Sequence, residues 1–266
     1  NLTTSNIAGL NTTQIAVVSY TKLSDLSTAN LGALNTNTVA ALSADQIKYL
    51  TSSQAASLST TFVNALTTGQ IQALENSDLG ALHTSVIQNL KTTQLAALQA
   101  GQIQGLTDSQ IGALSTSNIN SLSTNALGNL KTSQVAALIS SQVVQLNSTS
   151  LNALSGSQLS ALNVGNFQVL STTNLNALEA TKLKGISTSL ISNLTSTQLV
   201  GLSSTTVGNL TSSQVAVLNS TQLGQLTTSN FAGLTAVQIV TLTNDEVGSL
   251  TTDRIKALSV EALQAL

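Results

Sequence analysis

The sequence contains no cysteine. That excludes both a disulfide framework and a thiolate metal site, and it leaves the redox compartment unread. Methionine is absent too, so no ordinary initiator lies within this numbering, and we expect a processed product or a stretch of a longer array. Charged residues make up 7% of the chain, far below the usual quarter, with a net charge of −2. Such a surface offers no basic field to nucleic acid and no acidic field to a basic partner. Aromatics are 2%, two Tyr and three Phe, too few for a base-stacking platform. The longest apolar run, Val135 to Ile139, falls well short of the roughly 20 residues of a membrane span, and no signal peptide precedes it.

What the chain does have is a period. One Leu returns every eight residues from Leu2 to Leu266, and of those 34 positions only Val18 and Ile186 differ. No insertion or deletion breaks the phase, so this is a repeat protein. With the Leu as position zero, Leu106 to Leu114 is a representative octad. An apolar residue stands at position five in all 33 octads, as Leu, Ile, Val, Phe167, Phe231 or Ala55, which is the tolerance of a packed core site. Position seven is Ala, Gly or Ser in 21 of 33, which suggests close approach of backbone there. The four positions between Leu and the second apolar residue are polar.

Those four favour helix over strand. Position one is Ser, Thr or Asn in 26 octads and position four is Gln in 14, as in Thr107 with Gln110, Thr67 with Gln70 and Thr211 with Gln214. This is the spacing of a capping box, in which the first side chain accepts from the N3 N–H and the second reaches back to the N-cap N–H. The same register places the Leu and the position-five residue as a hydrophobic staple. Nine of the ten acids occupy positions one to four (Glu75, Asp78, Asp108, Glu179, Asp45, Asp245, Glu246, Asp253, Glu261), where a helix N-terminus favours them. Against this, positions two and three are equally polar, and Lys22, Lys182 and Arg254 sit at position four, so a β-solenoid with polar ladders stays as the alternative. One continuous helix is excluded, because its Leu stripe would drift by about 80° per octad. The expectation is an all-α solenoid of helices one to two turns long, one per octad, with the number of octads per coil left open. It runs as a single uninterrupted array over 1–266, with neither end capped.

No catalytic, cofactor-binding or metal-binding residue is assigned. The single His, His83, stands at a cap position without a second His or any Cys, which speaks against a metal site or a Ser-His-Asp triad. Asp245, Glu246 and Asp253 lack the alternating oxygen ligands of a calcium loop and read as helix-start carboxylates. The 16 glycines are scattered, with no phosphate loop among them. Asn1, Asn11, Asn147, Asn193, Asn209 and Asn219 each begin an Asn-x-Ser/Thr triplet, a pattern that chance produces in a chain this rich in Ser and Thr. Ile139, Val144 and Val164 put apolar groups on nominally polar positions and read as surface scatter.

The motif Leu-[Ser/Thr]-x-x-Gln-[Ile/Val/Leu]-x-Ala-Leu, intact at Leu66 to Leu74 and again from Leu90 with Lys91 at the cap, resembles the octapeptide arrays of very large secreted or surface proteins of bacteria. The resemblance implies an adhesin-like or matrix-like setting, extracellular or at the cell surface, and carries over no catalytic residue or cofactor. We expect a non-enzymatic structural role, a rod or filament segment that continues head to tail through copies or a longer chain. The alternative is a module that binds ice, glycan or another surface through its Ser/Thr/Asn rows.

Overall fold

The computed structural model describes residues 3–266; Asn1 and Leu2, which carry the first triplet and the first Leu of the period, lie outside the described residues. Among the described residues there are 33 helices of four to six residues and no strand. Numbered in chain order from α1 (Thr4–Ala8) to α33 (Val260–Gln264), they give one helix per octad. The fold is an all-α solenoid.

Every helix begins where the period predicts. The N-cap is position one in each octad, with extended backbone there and helical backbone from position two. In α14 (Asp108–Ala113) the Thr107 hydroxyl accepts the Gln110 N–H at 3.2 Å and Gln110 Oε1 accepts the Thr107 N–H at 2.8 Å, so two orphan donors of the helix start are satisfied. Lys91, Lys131 and Ile139 have no side-chain acceptor to offer at the cap. The other half of the box survives, because their N–H groups donate to Gln94, Gln134 and Gln142. His83 also caps: its ring Nδ1 accepts the Ser85 N–H at 3.3 Å. Asp45, Asp78, Asp108, Asp245, Glu246, Asp253 and Glu261 all stand in first turns, on the favourable side of the helix dipole.

Helices end by a break at the next Leu. In α9 (Thr68–Ala73) the following Leu74 has φ −62° and ψ 135°, an extended residue that redirects the chain into the next cap. Among the described residues none has positive φ, so the turn is made without a left-handed residue. Three such breaks complete a coil. In the first unit helices pack on the third one after them: α4 (Thr28–Gly32) on α7 (Ser52–Ser57), α7 on α10 (Asn76–Ala81), and α10 on α13 (Ala100–Gly105). The coil therefore holds three octads, a number the sequence left open. A five- or six-residue helix followed by one extended corner turns the chain through about a third of a revolution, and the Leu and position-five rows then line a closed interior instead of a flat double layer.

The contacts divide into two compact units, Asn1–Ala137 and Leu138–Leu266. Each is a stack of such coils in its own right; the second repeats the rule with α19 (Ser148–Ala153) on α22 (Thr172–Asn176) and α22 on α25 (Ser196–Gly201). Both apolar rows are buried in each, from Leu34 and Val39 to Leu122 and Leu127 in the first and from Val143 and Leu146 to Leu234 and Ile239 in the second. Burying each such side chain stabilises the stack by about 1.5–3 kcal/mol. Ile139 and Val144 are half exposed, as scattered surface residues are.

Candidate functional site

Most of the position-four amides are not on the surface. Gln46, Gln70, Gln94, Gln110, Gln134, Gln198, Gln214 and Gln238 are all buried, at most 4% exposed. Each amide closes its own capping box through Oε1 and uses Nε2 for something the capping box does not require. Gln70 Nε2 donates to the carbonyls of Val39 and Leu42 at 2.9 and 2.7 Å, 31 and 28 residues earlier. Gln110 donates to Leu79 and Leu82 at 2.9 and 2.6 Å, and Gln134 to Ile103 and Leu106 at 2.8 and 2.7 Å. In the second unit Gln214 reaches Leu183 and Ile186, and Gln238 reaches Val207 and Leu210, in the same register. The acceptors are the position-five carbonyl, which also accepts the N–H of the Leu corner, and the carbonyl of that Leu, which the helix end leaves without a backbone partner. One side chain thus ties the start of its own helix to the corner of the coil below.

Side-chain length decides how much of this survives substitution. Asn174, one methylene shorter, reaches only the nearer carbonyl, Leu146 at 2.9 Å; Asn166 and Asn230 likewise bond only Leu138 and Leu202. Arg254 takes the same slot with a longer fork, donating to Leu226 at 3.1 Å and to Gly224, with its guanidinium 5.4 Å from the Phe231 ring centre. Phe62 replaces the amide in α8 (Thr60–Ala65) and is itself buried; a cleft lined by Gly32, Leu34, Ser59 and Phe62 opens there.

A second set of bonds covers octads in which position four does not accept the N-cap N–H. Where Lys182, Leu190 and Thr206 stand at N3, the N-cap N–H groups of Glu179, Ser187 and Ser203 are taken by Asn152, Ser160 and Asn176, position-six residues 27 earlier, at 2.8–2.9 Å. The same three side chains donate to Ala177, Gly185 and Gly201 carbonyls at 2.8 Å. Asn64 is the instructive exception. Its place in the register corresponds to the Lys91 N–H, but Gln94 already holds that donor, and Asn64 Oδ1 is buried without a partner.

Asp78 occupies the amide position of α10 with a carboxylate. It is buried; Oδ1 accepts from the Ser52 hydroxyl at 3.1 Å, while Oδ2 has no partner. Desolvation raises its pKa above the ordinary aspartate value, and the neighbouring Glu75 charge adds to the rise against the hydrogen bonds from Ser52 and Ser77.

Close packing accompanies the amides. Position seven meets position two of the coil 29 residues earlier. A Cβ on Gly233 would stand 2.0 Å from the Ser204 carbonyl oxygen, which is why the backbones can approach only where position seven is small. The sequence expectation of close backbone approach holds at this contact.

Asp245, Glu246 and Asp253 do not form a cluster: Glu246 Oε2 accepts the Thr243 N–H at 2.8 Å as an ordinary capping residue, and Asp253 belongs to the next helix. Among the described residues no three His, Cys, Asp or Glu side chains gather as metal ligands would, and no helix is long and apolar enough to cross a membrane. Of the triplet asparagines, Asn11, Asn147 and Asn219 are N-caps that use Oδ1, whereas Asn193 donates its amide to the Ser189 carbonyl at 2.8 Å.

Sequence reasoning recognised position four as a cap and missed the bridge. A signal for it was present. A capping box accepts Glu as readily as Gln, yet position four holds 14 Gln and a single Glu, Glu246. A carboxylate accepts as well as an amide and cannot donate, so the bias reports the Nε2 bonds.

No curated protein matches this chain. A family described as the ALTTAQ repeat matches residues 23–60, 71–108, 90–124 and 109–140. Those stretches contain the same elements that the geometry singles out: the Leu corner, a hydroxyl N-cap and the Gln at position four, as at Leu106, Thr107 and Gln110. The chain is accordingly a repeat array, similar over these stretches to the ALTTAQ repeat.

Proposed function

We propose that this chain is a structural segment, a stiff spacer in an extracellular or cell-surface filament, with no enzymatic role. The observation that supports this reading is the amide bridge, because the recurring Gln of position four is spent on joining one coil to the next. Each bridge needs only the coil before it. Stacks built this way extend without limit by nearest-neighbour terms, so the partner in this reading is further repeat of the same kind, either in a longer chain or in another copy. The low charge fits a surface solubilised by Ser, Thr and Asn. Pulling single molecules from their two ends tests it: a spacer unfolds in small equal steps, and the step force falls when the bridging Gln are replaced by Leu. Unfolding at negligible force, unchanged by those replacements, would reject the reading.

A surface-binding module is the second reading, favoured by the exposed hydroxyl residues of the first turns, such as Thr68, Ser109, Ser133 and Thr197. Thermal hysteresis or retention on a glycan array would favour it over the spacer.

A further inference from the structure

We propose that Tyr20 and Tyr49 are a site of oxidative coupling, at which one-electron oxidation joins two coils of the first unit through a carbon–carbon bond. They are the chain's only tyrosines. Tyr20 opens α3 (Tyr20–Ser24) at position two, and Tyr49 follows α6 (Ala44–Lys48) at position seven, 29 residues on. That is the contact at which most octads of the array place a small residue, as Gly105 against Asn76 or Gly233 against Ser204. Here it holds two phenols instead, stacked with ring centres 4.3 Å apart and planes 24° from parallel. Both are open to a soluble oxidant, 43% and 47% exposed, and the Lys48 ammonium lies 5.8 Å from the Tyr49 ring centre. Nothing in the packing requires this pair, since smaller residues serve elsewhere.

The chemistry needs a one-electron oxidant, such as a haem peroxidase working on hydrogen peroxide. Each phenol loses one electron and one proton to give a phenoxyl radical. Spin density lies on the oxygen and on the ring carbons ortho and para to it, and the para carbon carries the main chain, so coupling falls to the ortho carbons. One bond forms between them, and both rings regain aromaticity as each ortho hydrogen moves to its oxygen. The net change is the loss of two hydrogen atoms, which leave with the peroxide oxygens as two molecules of water. The stack holds the partners together in advance, so coupling within the molecule outruns coupling between molecules. The product closes a loop from Tyr20 to Tyr49 and ties neighbouring coils, a covalent counterpart to the amide bridge. This inference does not rest on the spacer reading, because it stands on the ring geometry alone.

Dilute protein treated with light, tris(bipyridyl)ruthenium and persulfate, a one-electron oxidant that works equally in buffer and in urea, provides the test. The expected result is a monomer lighter by two hydrogens, blue biphenol fluorescence, and a peptide pair joined at Tyr20 and Tyr49. Its yield should exceed that in concentrated urea by at least about tenfold. Tyr20→Phe and Tyr49→Phe should each abolish it with the circular-dichroism spectrum unchanged, and the coupled protein should melt higher than the treated Tyr49→Phe variant. Coupling only between molecules, loss of tyrosine without a cross-link, or equal yields in buffer and urea would each overturn the proposal.

Discussion

At the scale of single residues the array turns on whether a group can both accept and donate from one place. Gln110 accepts from the Thr107 N–H and donates to the Leu79 and Leu82 carbonyls, and no other natural side chain of its length does both. Gln110→Leu keeps the volume and leaves the Thr107 N–H and the Leu82 carbonyl without these partners, at about 1–3 kcal/mol each, while the Leu79 carbonyl keeps the Leu82 N–H. Gln110→Asn should cost less, because it keeps the nearer bond as Asn174 does. Gln110→Glu should cost the most at neutral pH, where a carboxylate faces two carbonyls, and urea titration of the three variants checks this order. Asp78 is the natural case of that last substitution. Its carboxyl has a raised pKa in the fold, chiefly through burial, so the native state holds the proton more tightly than the unfolded chain. The stability that protonation confers is therefore fully present below the unfolded value, near 3.8, and is lost as pH rises through the raised folded value. Asp78→Asn should remove this dependence and stabilise the first unit at neutral pH by about 1 kcal/mol, since an amide restores a donor. Thermal melts of both proteins across that window decide it; a wild-type protein that melts lower on mild acidification would contradict the assignment.

Single elements show how the octad is read and where its reading stops. Thr107→Ala should cost about 1 kcal/mol through the lost N-cap acceptor, while Thr107→Asp, which restores an acceptor at the positive end of the helix, should be tolerated. Glycines behave in opposite ways according to where they stand in the octad. Gly233→Ala drives a Cβ into the Ser204 carbonyl and should destabilise by about 1–3 kcal/mol, whereas Gly224→Ala meets nothing within 4 Å inside α28 (Ser220–Gln225) and should gain up to about 1 kcal/mol of helix propensity. Helix starts were legible in the sequence because a cap is local: Thr107 and Gln110 are three residues apart and their chemistry needs no knowledge of the coil. The two rows of core residues were legible for the same reason. The number of octads per coil was not, since it depends on how far the chain turns at extended corners such as Leu74, which carry the same Leu whatever the angle. Nor was the identity of the carbonyls beneath each amide, which lie 28 and 31 residues away. Only the shortage of Glu at position four hinted that the amide nitrogen was engaged.

On the scale of the whole molecule, stability comes from repeated contacts between adjacent coils and hardly at all from charge. Among the described residues the one ion pair is Lys22 with Asp25, 3.9 Å apart and with both side chains more than 70% exposed, a pair of the kind that contributes about 0–1 kcal/mol or nothing measurable. Each amide reaches back no further than 31 residues and each backbone contact about 29, so a change in the chain is felt only by the coils that flank it. Deleting one octad, Thr107 to Leu114, leaves Gln134 with a Leu corner and a helix end at the right distance, because the octads of the first unit offer the same carbonyls. Deleting four residues, Thr107 to Gln110, instead puts the polar half of one octad where the neighbouring coil presents its Leu row, and buries donors and acceptors away from their partners. The first deletion should lower the melting temperature of the first unit slightly, by the mismatch of small and large residues at one junction. The second should lower it strongly, by several groups at about 1–3 kcal/mol each. Equal melting temperatures for the two would mean that the octad is a feature of the sequence and not the unit in which the protein packs.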